Sequence, residues 1–526
     1  MAVFAQTSSS AEVHREAAPP LAVGPAALMV GLKLAVHLLT SVHRYGYFRD
    51  ELYFLDCARH LDWGYVDTAP LIAVYAKLAL LMGGSLPALR ILPALAGATL
   101  IVLTMFIARQ LGGGRFAQAL AGVCALVCPA ILGVDVILSM NALNAFDPLF
   151  WMGAISVLIA IMKSGNSRLW LWFGVLAGLG LENKHSTLFF GFAVLVGVLL
   201  TPLRRELMKP WIWLGGVIAL LIFLPNLIWQ VQHHYPTLED LENVRRMGKN
   251  VVLGPAAFLW AQILSLHPIL LPVWIAGLVS FFRHRQTRIL GWIFAVFFII
   301  IFIAKAKDYY LYPIYPMLLA GGAAAIERWF VMRPALDRRT IPKAEIIAVI
   351  VLLGVPIDLL ALPALSPAQY VAYTQALHLA PPKTEVAHTG PLPQIFGDQF
   401  GWQELVKQVA DAYWSLQPEV RARTGIVGNN YGEAGALHLF GPRYGLPWAI
   451  SAHQNHFFWG PPDFHGDNLI VLQWSSRRVE RYCQSGEILA EHHHPWGMEE
   501  ENGPIILCRG LKQSLSEIWP RLKLWN

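Results

Sequence analysis

Apolar runs of roughly bilayer-spanning length recur eleven times before residue 364. They fall at 21–42, 86–108, 116–138, 145–162, 168–183, 186–202, 211–231, 256–282, 289–304, 309–326 and 344–363. The hydrocarbon core of a bilayer is about 30 Å thick and takes about 20 apolar residues to cross as a helix. Inside it, each backbone polar group must be satisfied within the protein, which helices do alone. The pattern therefore predicts a multi-spanning α-helical membrane protein with about 11 transmembrane helices. Composition agrees: 56% of the chain is hydrophobic and 14% charged, against about 25% charged in soluble domains. The net charge of +6 belongs to membrane orientation and implies no nucleic-acid partner. Five cysteines with no CxxC spacing form neither a disulfide scaffold nor a zinc ribbon.

The gaps between runs orient the chain. The basic ones are "RQLGGGR" (109–115), "KSGNSR" (163–168), "RRELMK" (204–209), "RHRQTR" (283–288) and the Arg-rich 327–343 segment. With eleven spans they fall on every second gap, as the excess of Lys and Arg in cytoplasmic loops requires. This places the N-terminus inside a multi-pass cytoplasmic (inner) membrane protein. Segments 43–85, 139–144, 184–185, 232–255 and 305–308, and everything after 364, lie outside. Residues 1–20 read as a disordered tail without the basic start of a secretory signal, and the first run as a retained span. Residues 21–363 form the membrane domain, with 43–85 as its first outer loop.

Residues 364–526 differ in kind. "RTGIVGNN", "GDNLIVLQW" and "GPIILCRG" read as strands and "YGEAGALHLFG" as a helix. Alternating strands and helices predict a C-terminal extracytoplasmic α/β domain. Cys483 and Cys508 lie in it, and their spacing leaves open whether they pair.

Ionisable residues crowd the outer face. "YFRDELYFLDCARHLDWGYVDTAP" holds Asp50, Glu51, Asp56, Arg59 and Asp67. Asn144 and Asp147 follow at the next outer junction, then Lys184 and His185, then His233, His234, Arg245 and Arg246, then Lys307, Asp308, Tyr309 and Tyr310. Charges at membrane depth are costly and mark cavities. Bland readings stand beside this one. Tyr65, Trp151, Tyr309 and Tyr310 suit an interfacial aromatic belt. Asp56 and Arg59 suit a surface ion pair, and Lys305 suits a snorkelling lysine. His233 and His234 suit a wet loop, and Asp147 suits a helix N-terminus. The adjacent carboxylates Asp50 and Glu51 among aromatics are harder to explain as packing. Carboxylates, cations and apolar walls suit transfer of a sugar from a lipid phosphate. Cations would hold the phosphate and a carboxylate would deprotonate an acceptor hydroxyl. A transporter or flippase of a lipid-linked or small solute is the alternative. Transporters usually place such charges at mid-bilayer in repeated halves, and no repeat is visible here.

Over roughly residues 40–330 the chain resembles the integral-membrane GT-C glycosyltransferases of the protein-mannosyltransferase and aminoarabinose-transferase type. "YFRDELYFLDCARHLDWGYVDTAPL", "MNALNAFDPLFW", "LGLENKHSTLFFG", "WQVQHHYPTLEDLENV" and "KDYYLYPIYPMLLAGG" carry the resemblance, in that order. It implies a polyprenyl-phosphate-linked sugar donor. It also implies an inverting hexosyl or pentosyl transfer to a hydroxyl or phosphate of a lipid, glycan or protein acceptor, outside the membrane. Asp50, Glu51 and Asp147 would be catalytic, with Asp50 acting on the acceptor. Lys184, Arg245, Arg246 and Lys307 would bind the donor phosphate. Asp67, Asn144, His185, His233, His234, Asp308, Tyr309 and Tyr310 would line the substrates. Thr68 and Ala69 replace the Lys-Pro that follows the second acidic position in aminoarabinose transferases, which counts against that sugar. A divalent metal is compatible with the His and carboxylate clusters but not required, and His492–His494 reads as compositional. The outer loop helices are expected to lie flat on the membrane. In the C-terminal domain, His456, Trp459 and Asp463 are candidates for acceptor binding.

Overall fold

The computed structural model describes residues 19–41, 45–134, 140–333, 341–381, 383, 385, 386, 389–461 and 464–526, with side chains of 133, 134, 140–144 and 341 left aside. Helices lie on all eleven apolar runs, but not as eleven straight rods. Among the described residues, four helices are long and apolar enough to cross a membrane alone: Val23–Thr40, Leu86–Gln110, Ala145–Ser164 and Pro210–Gln232. Two bent pairs raise this to as many as six. The run at 256–282 is one such pair. Pro255–Leu266 meets the segment from Pro268 at 90°, where His267 adopts a φ of 76° before a proline that cannot continue the helical hydrogen bonds. The run at 116–138 breaks likewise between Leu126 and Pro129.

Packing separates lipid-facing helices from central ones. Only 11% of the apolar window of Pro210–Gln232 is buried, against 61% for Leu86–Gln110. Unburied apolar surface on this scale belongs against hydrocarbon. Helix Leu271–Arg283 meets Tyr315–Val331 backbone to backbone at Gly277 and Gly322, each seated on carbonyls of its partner. Small residues at crossings are how helices gain contact where lipid removes the hydrophobic drive.

The C-terminal segment carries a four-stranded sheet: β1 (Thr424–Val427), β2 (Asn468–Leu472), β3 (Cys483–His492) and β4 (Gly503–Leu511), in the order β1-β2-β4-β3. The β1–β2 pair is parallel and the others antiparallel. Apolar clusters fill both faces of the sheet, one around Ile470 and Leu507, the other around Leu469 and Val471. Cys483 and Cys508 form a disulfide between β3 and β4. The three expected strands and the helix Tyr431–Phe440 are present, and β3 is additional.

That helix docks on the outer loop. The loop helix Arg49–Arg59 is buried from Arg49 through Ala58. It packs between Leu71–Leu81 and Tyr431–Phe440. At Gly435 an added Cβ would stand 2.8 Å from the Leu52 backbone, and at Gly432 it would strike Arg49. The approach admits no side chain there.

Candidate active site

The loop helix and the docked helix build the acidic wall. Tyr431 donates its hydroxyl to Asp50 Oδ1 at 2.9 Å. Tyr53, one turn along, donates to Asp67 Oδ1 at 2.9 Å. Gln454 donates to Asp240 Oδ1 at 3.1 Å. Asp67 lies within electrostatic reach of both Asp240 and Asp50, and burial beside these carboxylates pushes its carboxyl up to about 7. Arg49 fixes the wall from behind, pairing with Glu500 at 3.0 Å, Glu501 at 3.5 Å and Asp398 at 3.7 Å.

The cationic wall comes from the membrane domain. Lys184 follows the end of helix Trp170–Asn183, and its ammonium sits 4.6 Å from the Tyr310 ring centre and 5.9 Å from that of Tyr309. Lys307 approaches Tyr309 to 5.9 Å and pairs with Glu385 at 3.1 Å. Lys249 reaches the same carboxylate at 3.7 Å. Burial, with Lys307 nearby, lowers the Lys184 ammonium to about 8 although Asp147 opposes the shift. Tyr309 lies within electrostatic reach of both Asp50 and Glu385.

The structure gathers Asp50, Asp67, Asp147, Lys184, Lys307, Asp308, Tyr309 and Tyr310 around this region and moves others away. Asp147 is fully buried. It accepts from Ser186 at 3.2 Å and Thr187 at 3.5 Å and faces Lys184, which fits holding the lysine rather than touching substrate. Glu51 grips buried Arg90 through both oxygens at 3.0 Å and accepts from the Phe48 N–H at 2.8 Å. It anchors the loop, and the catalytic expectation for it gives way to that role. Arg245 and Arg246 are exposed, Arg246 on Asn243 at 2.8 Å. Their helix turns both to solvent, away from Lys184 and Lys307. His234 is exposed, and His233 stacks on Trp229 at 4.1 Å. His185 holds Asn226 at 3.1 Å, bracing two helices. The Asn144 side chain lies outside the described residues, as does Asp463.

Other expectations are also revised. Tyr65 and Trp151 are not belt residues. Both are fully buried, with Trp151 donating to Thr187 at 3.1 Å. Asp56 and Arg59 are no surface pair. Asp56 is fully buried and collects Arg59 at 2.5 Å on Oδ1, and His438 Nδ1 at 2.7 Å and His456 Nε2 at 3.1 Å on Oδ2. His456 and Trp459 therefore face the loop helix, Trp459 stacking on His60 at 4.4 Å. Sequence reasoning missed Arg90, Tyr431, Lys249 and Glu385, and gave Arg49, which it places among the charges of the first outer segment, no role. Only the charges of Arg49 and Arg90 among apolar neighbours offered a signal.

Comparison with known proteins bears on this arrangement. Residues 67–229 match the family model described as dolichyl-phosphate-mannose-protein mannosyltransferase. The lipid A galacturonosyltransferase RgtD of Rhizobium johnstonii is 23% identical over 274 residues, 51% of this chain. The chain spans 57% of that curated relative's length. The crystal structure of ArnT from Cupriavidus metallidurans superposes with a TM-score of 0.56 at 16% identity, covering 93% of this chain and 98% of that one. The chain has the GT-C glycosyltransferase fold. The chain is also similar in fold to the Archaeoglobus fulgidus oligosaccharyltransferase, with a TM-score of 0.50 at 12% identity, covering 79% of this chain and 63% of the other.

Proposed function

We propose that the protein transfers a sugar from a polyprenyl-phosphate donor to an acceptor hydroxyl or phosphate at the outer face of the cytoplasmic membrane. The observation that carries this reading is Tyr309, whose ring both Lys184 and Lys307 approach and which lies within electrostatic reach of Asp50, in a chain with the GT-C fold. The ArnT structure bound to undecaprenyl phosphate, with a TM-score of 0.55, supports a lipid phosphate as the donor's carrier.

The geometry gives each group a task. The lysines receive the phosphate, and their charge stabilises it as it leaves. Asp50, oriented by Tyr431, takes the proton of the acceptor hydroxyl as its oxygen attacks the anomeric carbon from the side opposite the phosphate. The sugar is inverted and polyprenyl phosphate is released.

The test uses the protein in lipid nanodiscs with a panel of undecaprenyl-phosphate sugars and a membrane extract, following free undecaprenyl phosphate by mass spectrometry. Release that depends on extract and falls about 10²–10⁴-fold in Asp50→Asn, with donor binding retained, is expected. Wild-type release from Asp50→Asn overturns the role of Asp50. No release from any donor, together with solute flux in sealed vesicles, overturns the transferase reading.

A further inference from the structure

We propose that Asp56, His438 and His456 form a zinc site that clasps the first outer loop to the C-terminal segment. The three residues are buried, and their ligand atoms lie within 4.8 Å of one another. Two imidazoles and one carboxylate are a common zinc donor set, the remaining position falling to water or another ligand.

Hydrogen-bond bookkeeping favours a cation at the point where they meet. His438 Nε2 lies 2.9 Å from the Ala449 carbonyl, and Nδ1 lies 2.7 Å from Asp56 Oδ2. A neutral imidazole carries one N–H. With it donated to Ala449, the Nδ1 lone pair confronts a carboxylate oxygen, and a cation between them turns that repulsion into coordination. His456 aims Nε2 at the same oxygen from 3.1 Å. The surroundings match what holds a metal ligand in place. The Ala449 carbonyl fixes the His438 tautomer, and Arg59 takes the other oxygen of Asp56 at 2.5 Å. Trp448 stacks on His438 at 3.8 Å. The competing arrangement is a second proton on His438, which needs no metal.

The clasp would join residues nearly 400 positions apart, next to Asp50 on the same helix. The proposal stands independently of the reaction. Its consequence is mechanical, since metal binding at a site absent from the unfolded chain stabilises the fold.

The test is metal analysis of the full chain in detergent, stripped by chelator, equilibrated with zinc chloride and desalted. About one retained zinc per chain is expected, falling at least tenfold in His438→Gln and His456→Gln and unchanged in a His493→Ala/His494→Ala control. Cobalt(II) on the wild-type protein gives a visible d–d band of low-symmetry coordination, which keeps the test decisive if the Gln variants misfold. Chelation lowers the wild-type Tm. A monodisperse wild-type protein that retains no zinc and gives no cobalt band, or zinc retained by both Gln variants, overturns the site in favour of the proton-bridged arrangement.

Discussion

At the scale of residues, the site is a set of charges whose environments set their protonation. Asp67 shows this best. Its folded carboxyl titrates near 7, raised by burial and by Asp240, while the unfolded chain titrates near 3.9. A raised carboxyl favours the protonated folded form. Its stability is therefore complete below about pH 4 and is lost as pH rises through about 7. Asp67→Asn keeps an oxygen for the Tyr53 hydroxyl and removes the charge. Its Tm should exceed that of the wild type, and the gap should widen by about 3 kcal/mol equivalent between pH 5 and pH 8.5, since the loss runs over the two pH units up to about 7 at about 1.4 kcal/mol each. Thermal unfolding at the two pH values decides it, and a constant gap would refute a raised carboxyl. Asp50, Asp67, Lys184 and Lys307 were legible in the sequence because charges beside apolar runs are rare enough to stand out. The network of Asp56 was not legible, since its partners lie 382 and 400 residues away and no local pattern encodes them.

At the scale of elements, periodicity and length located helices well and their breaks poorly. A run of 27 apolar-rich residues at 256–282 looks like one span. The bend needs only His267 in positive φ ahead of Pro268, a local event inside an unbroken hydropathy signal. The strand β3 escaped for a different reason. From Gln484 to Glu487 its residues are all exposed, so it shows no alternation to read, and pairing with β4 makes it a strand. The contact that matters most is also invisible to hydropathy. Gly435 brings Tyr431–Phe440 onto Leu52 with no room for a methyl group. Gly435→Ala should push the two helices apart at a cost of about 1–3 kcal/mol. It should lower Tm and cut turnover at least tenfold by moving Tyr431 from Asp50. Gly191, whose Cβ would meet nothing within 4 Å, is the matched control, and its Ala variant should hold or gain stability. Equal effects at the two glycines would refute the docking argument.

At the scale of the whole molecule, the sequence suggests a membrane catalyst with an appended outer domain, and the structure shows the two interlocked. Arg49 pairs with Asp398, Glu500 and Glu501, Asp50 takes a hydrogen bond from Tyr431, and Lys307 pairs with Glu385. Each bond joins a residue before 331 to one after 364. The C-terminal segment thus helps set both walls of the site. An appended acceptor module would be removable with donor binding intact. An interlocked segment would not. Its loss would expose the loop helix, remove the ion pairs of Arg49 with Asp398, Glu500 and Glu501 and the Tyr431 hydrogen bond to Asp50, and take away the carboxylate that orients Lys307. Truncation before Pro367 should therefore weaken binding of an undecaprenyl-phosphate sugar at least tenfold, about 1.4 kcal/mol, and abolish transfer. Glu385→Gln in the full chain separates orientation from gross unfolding, because it removes the pairings to Lys307 and Lys249 and leaves the sheet intact. It should raise the donor KM several-fold with little change in Tm. Full donor affinity in a folded truncated protein would restore the picture of a separable module.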